Sequence, residues 1–301
     1  MGTPYRVIFF PSTTSLATHK RLTMAPFEIS DLARKYAPWS YSKAELAEVC
    51  PAQFKHKYVM KSETTTAGPS DAKVGIVAHE ILEHRVTGKQ RSDARKLASE
   101  KNPLTSDEQE MLKMLEANME HFLQRFDRFC KAQGVTKVFT EVAWGFTDDY
   151  RRAEFFGKDV YFRGKLDLGA VTRDNTLFVL DHKSGIAKIL EKDRKKRQQL
   201  QAYGVLAVPN LPEIDGVRAG IHFLQGDDPD LRLQWTDFVS SDQLRRAYAP
   251  WLFRRVNECA QNLAHDKFEA RPARKMPRGW PCHWCGYQAL CPAFQEKFGG
   301  A

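Results

Sequence analysis

The chain has no long apolar run. Its best local stretch, Val7 to Phe10, ends at Pro11, far short of the roughly eighteen residues that cross a bilayer as a helix, so no membrane span is expected. Cysteine is scarce, six in 301 residues. With no signal-peptide pattern, that argues against a secreted disulfide framework and for metal ligands or buried thiols in a reducing, cytoplasmic setting. Acid is also in deficit: 46 Lys and Arg stand against 37 Asp and Glu, a net charge of +9, which favours a polyanionic partner without naming it. Residues 1–27 hold no Asp or Glu at all, yet carry Arg6, Lys20 and Arg21 among many Ser and Thr. That composition fits an organellar transit peptide, or a disordered extension ahead of a start at Met24. There is no internal repeat.

What is present is enough apolar residue for a core, 42% of the chain, and a change of period along it. A helix is expected from Ser42, with Glu45 completing a capping box, interrupted at Cys50-Pro51. Residues 62–73 read as a loop, Val74 to Val86 as a helix, and the charged stretch from Gly88 to Pro103 as a mobile connector. Ser106 is expected to cap a long helix whose apolar residues Met111, Leu115, Met119, Phe122, Phe126 and Phe129 step by four and three, a core stripe ending at Gly134. Beyond it the period becomes two, giving strands over 135–146, 160–171 and 176–183. A helix over 188–208, strands near 217–224 and 231–238, and a helix over 241–264 containing Pro250 complete the body. The expectation is α/β, a mixed central β-sheet flanked by helices, as one domain over 28–301.

Chemistry concentrates on the second and third strands, FRGKLDLGAV with Asp167 and TLFVLDHKSG with Asp181 and Lys183. Asp181 and Lys183 are two apart on a strand and share a face. A three-residue turn, Arg173-Asp174-Asn175, would pair Thr172 with Thr176, and the same register sets Asp167 opposite Asp181; Asn175 suits the left-handed position of such a turn. Two facing carboxylates repel unless a cation lies between them. Oxygen ligands of this kind suit Mg²⁺ or Mn²⁺, which can acidify a bound water, with Lys183 to orient or deprotonate it. An exposed Asp-Lys ladder is the bland alternative. Around this group, GIVAHEILE places His79 four residues after Gly75 on a helix, Gln199 and Tyr203 share a helical face, and Lys192 to Gln198 form a basic stripe able to hold a phosphate backbone.

The order G-x-x-x-H, G-x-x-D, D-x-K, Q-x-x-x-Y, carried by Gly75/His79, Gly164/Asp167, Asp181/Lys183 and Gln199/Tyr203, resembles the PD-(D/E)XK nuclease superfamily in its RecB-like branch, over about residues 40–295. The resemblance implies a restriction-endonuclease-like core, metal ligation by His79, Asp167, Asp181 and the backbone carbonyl of His182, Lys183 as the catalytic lysine, and supporting or DNA-contacting roles for Gln199 and Tyr203. Leu166 stands where the family name has proline. Glu141, on the preceding strand where the family can carry an acid, is a further candidate.

Four cysteines remain: Cys50, then Cys282, Cys285 and Cys291 spaced C-x2-C-x5-C. The last three with His283 could hold Zn²⁺; all four as thiolates suit an iron-sulfur cluster. The pattern of one cysteine before the nuclease motifs and three after them is similar to RecB-like nucleases of the AddB and CRISPR-adaptation type, which implies a structural [4Fe-4S] cluster clasping both ends. Cys130 and Cys259 read as core thiols. Arg271, Arg274, Lys275 and Arg278 with Trp280 and Trp284 could grip a single strand. The expected function is a metal-dependent, single-stranded DNA exonuclease in recombination, repair or phage DNA processing. With no helicase motif in the chain, a helicase or recombination partner would be a separate protein. The alternative is a non-catalytic DNA-binding subunit of a recombination or CRISPR adaptation complex.

Overall fold

The computed structural model describes residues 7–9, 27–64, 70–264, 268, 270–271, 282 and 285–299. An edge strand, β1 (Val7–Phe9), comes first and pairs antiparallel with residues 137–139. It lies inside the stretch expected as an extension, the rest of which, to Pro26, falls outside the described residues. Helices α1 (Asp31–Lys35), α2 (Tyr41–Val49) and α3 (Pro51–Phe54) follow, the last running into a π-turn over Lys55–Val59. Cys50 separates α2 from α3 in extended conformation, and Pro51 opens α3 at the position where a missing N–H costs nothing.

Next come α4 (Ser70–Val86), α5 (Arg91–Lys101) and α6 (Ser106–Ala132). The sheet is then laid down by β2 (Val135–Phe146), β3 (Arg152–Ala153), β4 (Phe162–Thr172) and β5 (Thr176–Ile186). Helix α7 (Arg194–Asn210) crosses to β6 (Gly216–Gln225). The remainder is α8 (Pro229–Arg232), β7 (Leu233–Trp235), β8 (Val239–Ser240), α9 (Ser241–Gln243), α10 (Ala249–Gln261) and α11 (Pro292–Phe298).

The strands order as β1-β2-β4-β5-β6-β7, with β3 on β2 and β8 on β6. Neighbours are antiparallel except β5 and β6, which run parallel because α7 carries the chain back between them. Alternate residues feed two cores. Leu177, Val179 and Phe223 pack with Leu206 of α7 and Phe253 of α10 on one face, while Leu168, Leu180 and Leu224 pack with Ile81 of α4 and Met119 of α6 on the other. This is the expected mixed sheet between helices.

Several local expectations are corrected. Ser40, not Ser42, caps α2: its Oγ accepts the Lys43 N–H at 3.1 Å, and Glu45 instead pairs with Lys195 of α7 at 2.8 Å. Thr105, not Ser106, caps α6, in a capping box with Glu108. The stretch expected as a mobile connector holds α5, whose Ala94 and Ala98 are fully buried and whose charges reach neighbouring helices, Arg91 to Glu116 at 2.5 Å and Lys101 to Glu80 at 2.6 Å. Helix α4 starts at Ser70 rather than Val74, and α7 starts at Arg194 because Asp193 caps it through the Lys196 N–H. The expected strand over 231–238 is shortened to β7 by α8. The late helix runs without a gap from Ser241 to Gln261, close to the expected 241–264, and takes up a π-turn at Leu244–Tyr248 just ahead of Pro250, which cannot donate to the carbonyl four residues back.

Candidate active site

The β4–β5 turn is the three-residue Arg173-Asp174-Asn175, with Asn175 at φ +57°. Pairs from Val171↔Leu177 to Leu168↔Leu180 keep the register expected from it. There the ladder stops. Where Asp167 would meet Asp181, the Asp167 carboxylate instead accepts the backbone N–H of His182 at 2.7 Å. Leu166 and Leu168, two apart on β4, belong to cores on opposite faces of the sheet, and so do Val142 and Val138 on β2. Side-chain alternation therefore reverses on both strands at one level, that of Glu141 and Asp167, which lie between the pairs Thr140↔Leu168 and Val142↔Leu166. Glu141 sits at φ +48°, a left-handed conformation that costs a non-glycine residue energy.

The reversal collects three donors from three elements. A ligand atom each from His79 of α4, Glu141 of β2 and Asp167 of β4 lie within 4.8 Å of one another, with His79 Nδ1 3.6 Å from Asp167 Oδ2. His79 gets there because Gly75, one turn earlier, lets α4 seat against β5: a Cβ on Gly75 would stand 2.7 Å from Ser184 Oγ. Asp181 goes elsewhere. Its Oδ1 accepts from Tyr203 Oη at 3.0 Å and from Gln199 Nε2 at 3.4 Å, while Gln199 also donates to Tyr203 Oη at 2.8 Å. Its Oδ2 lies 2.6 Å from Lys183 Nζ, a close ion pair outside hydrogen-bond angles, so this buried oxygen has no hydrogen-bond donor. The expected pairing of Asp167 with Asp181 is therefore not formed: the register holds only as far as Leu168↔Leu180, and the two carboxylates take different partners, one from α4 and one from α7. The side chain of His182 points away from these oxygens into the core under α6.

Electrostatics follow from this crowding. Burial raises Asp167 well above the usual carboxylate range, and the charges of Asp181 and Glu141 add to it. Burial likewise raises Glu141, opposed by Lys165. Burial lowers His79, against the pull of Asp181, and so favours the neutral, metal-ligating imidazole. Burial also raises the Tyr203 phenol well above its ordinary value, keeping it a hydrogen-bond donor to Asp181. Two carboxylates and one neutral imidazole form a donor set that fits Mg²⁺ or Mn²⁺, and the charge of Asp181 acts on both Asp167 and His79.

Cys50, Cys282, Cys285 and Cys291 line one cavity with His56, Arg271 and Tyr287. Burial raises the Cys285 thiol, and the three other cysteines push it the same way. Tyr287 stacks on His56 at 5.4 Å, and Arg271 donates to the Glu48 carbonyl at 2.5 Å, so the C-terminal segment docks on α2, α3 and the π-turn. Cys130 and Cys259 stand apart, their thiols pushed up by burial to about 12 and about 11. His283, Arg274, Lys275, Arg278, Trp280 and Trp284 lie outside the described residues. No helix among those described is long and apolar enough to cross a membrane.

Glu141 is the donor whose place the sequence signals most weakly. Its strand reads as regular, and nothing local marks the residue that turns.

The sequence model of the PD-(D/E)XK nuclease superfamily matches residues 38–292. Among curated proteins, none matches the chain. Among solved structures, one from Eubacterium rectale described as a "Putative exonuclease" is similar at 14% identity and a TM-score of 0.43, over 77% of this chain and 84% of that one. The structure of SSO0001 is similar at 16% identity and a TM-score of 0.32, over 87% and 95%.

Proposed function

This chain belongs to the PD-(D/E)XK nuclease superfamily, and we propose that it is a divalent-metal-dependent deoxyribonuclease acting from the ends of single-stranded DNA, in recombination, repair or phage DNA processing. The observation that carries this reading is the convergence of His79, Glu141 and Asp167 within 4.8 Å, next to the Asp181–Lys183 pair. His79, Glu141, Asp167 and Asp181, with the His182 carbonyl, would hold Mg²⁺ or Mn²⁺. Bound there, such an ion acidifies a water and offsets the charge that builds on the phosphate. Tyr203 and Gln199 fix Asp181 through Oδ1. Lys183, beside Oδ2, orients the attacking water and can take its proton. The exposed Arg194 and Arg197, in the first turn of the helix that carries Gln199, bind the phosphate backbone.

We assign a [4Fe-4S] cluster to Cys50, Cys282, Cys285 and Cys291. The support for it is that all four cysteines, from both ends of the chain, line one cavity, and a set of four thiolates suits such a cluster.

The test is degradation of end-labelled single-stranded DNA with Mg²⁺ or Mn²⁺, alongside a circular strand of the same sequence and the Lys183→Ala chain. Linear DNA should be cleaved, circular DNA spared, and the variant slowed by about a thousandfold. Binding without cleavage by the wild-type chain would overturn the enzyme reading, and equal cleavage of the circle would overturn end dependence.

A further inference from the structure

Beneath the proposed metal site lies a pair of histidines whose side chains the nuclease motifs do not use. His222 of β6 stands beside His182 in the parallel register, both all but inaccessible to solvent. Their Nδ1 atoms are 3.0 Å apart. Two ring nitrogens at that distance make a hydrogen bond only if one ring carries its proton on Nδ1 and the other on Nε2, so each imidazole sets the tautomer of the other. Phe122 of α6 stacks on His222 at 4.1 Å and 22°, and meets His182 edge-on at 5.1 Å. The pair is thereby fixed from below as well as across the sheet.

His182 is the joint between this pair and the site. Its backbone N–H holds Asp167 Oδ2 at 2.7 Å, and its ring meets the His79 ring edge-on at 5.9 Å. Two donors of the site, from different elements, thus lean on one residue whose own ring is anchored by His222. Resting on the metal reading above, we propose that His222 is a positioning residue for that site, acting through its hydrogen bond to His182 to hold Asp167 and His79 in place for the cation. It touches neither substrate nor metal. Removing its ring nitrogen leaves the His182 Nδ1 buried without this partner and frees the ring to rotate, which loosens the amide under Asp167 and the wall beside His79.

The test is Mn²⁺ titration of the purified full chain by calorimetry, with melting temperature alongside, for wild type, His222→Leu and His222→Asn. Leucine fills the space without the hydrogen bond; asparagine puts an amide group near the position of Nδ1. His222→Leu should bind Mn²⁺ about tenfold more weakly, the lower end of the effect of removing an outer partner of a metal ligand, and His222→Asn should recover most of the loss. Wild-type affinity in a folded His222→Leu chain, or equal weakening in both variants, would overturn the proposal. A wild-type chain that binds no Mn²⁺ would overturn the metal reading itself, and this inference with it. Should His222→Leu fail to fold, long-range ¹⁵N spectra of the wild-type imidazoles decide: one ring protonated at Nδ1 and its neighbour at Nε2 supports the pair, and both protonated at Nε2 overturns it.

Discussion

Glu141 and Asp167 put two half-buried carboxylates within 4.8 Å of one another; burial raises both above the ordinary carboxylate range, with the charges of Asp181 and Glu141 adding to Asp167 and those of Glu83 and Glu80 to Glu141. Such a site favours binding a cation at the expense of the cation-free fold. Asp167→Asn keeps an oxygen to accept the His182 N–H but removes the charge, and Glu141→Gln removes the charge on the neighbouring strand. Each should raise the melting temperature of the metal-free chain. Each should also weaken Mn²⁺ by more than about 100-fold, since loss of even an outer partner costs about 10 to 100-fold. Mn²⁺ should in turn stabilise the wild type, by about 2.7 kcal/mol at a hundred times its dissociation constant, and neither variant to that extent. Melting curves with and without Mn²⁺ read all of this; variants that melt below wild type without metal, or gain as much from Mn²⁺, would refute the assignment of these two residues.

At the scale of elements, the position of α4 against β5 decides whether His79 reaches the site. Gly75→Ala should gain about 1 kcal/mol of helix propensity and lose about 1 to 3 kcal/mol to overpacking against Ser184, a net loss of about 0 to 2 kcal/mol that leaves the chain folded. Cleavage should fall by tenfold or more, because His79 rides one turn further along a helix that must now move out, and displacements of about 1 Å at a catalytic centre can cost 100-fold. Adding Ser184→Ala, which removes the oxygen 2.7 Å from the new Cβ, should restore much of the rate. A double variant as slow as Gly75→Ala would place the fault in the helix itself. The same elements show what the sequence discloses. Strand periodicity, Asn175 in the turn and the Gly75-to-His79 spacing are local signals, and β2 follows the expected 135–146 while the turn and register follow Asn175. Helix α5 was illegible because its charges find partners on α4 and α6, so its polarity reads as a loop until those helices are in place. The reversal at Glu141 and Asp167 was illegible for a related reason. Period-two reasoning assumes one face per strand, and here a left-handed residue between Thr140 and Val142 swaps the faces with no glycine to announce it.

On the scale of the whole molecule, the four cysteines that would hold the proposed cluster come from segments more than two hundred residues apart, with the proposed catalytic residues inside that span. Closing so long a loop by covalent ligation restricts the unfolded chain by about 5 kcal/mol in the chain-entropy view. Among the described residues, contacts between the same segments include Arg271 to the Glu48 carbonyl and the stack of the buried Tyr287 on His56. A hydrogen bond and a ring stack contribute about 1 kcal/mol each, less than the proposed ligation would supply. Cys50→Ser should therefore abolish visible absorbance, lower the melting temperature substantially and expose residues 282–299 to protease, while Cys130→Ser and Cys259→Ser keep their colour. Because His79, Asp167 and Lys183 sit on elements packed through the sheet rather than through the cysteines, any Cys50→Ser chain that remains folded should still cleave DNA, with a half-life at 37 °C shortened more than its initial rate. A colourless wild-type chain carrying one zinc would replace the cluster by zinc. Full colour in Cys50→Ser would cut the N-terminal arm out of the clasp. Initial cleavage lost in step with the colour would mean that the cluster shapes the catalytic centre and does not merely hold the chain's two ends together around it.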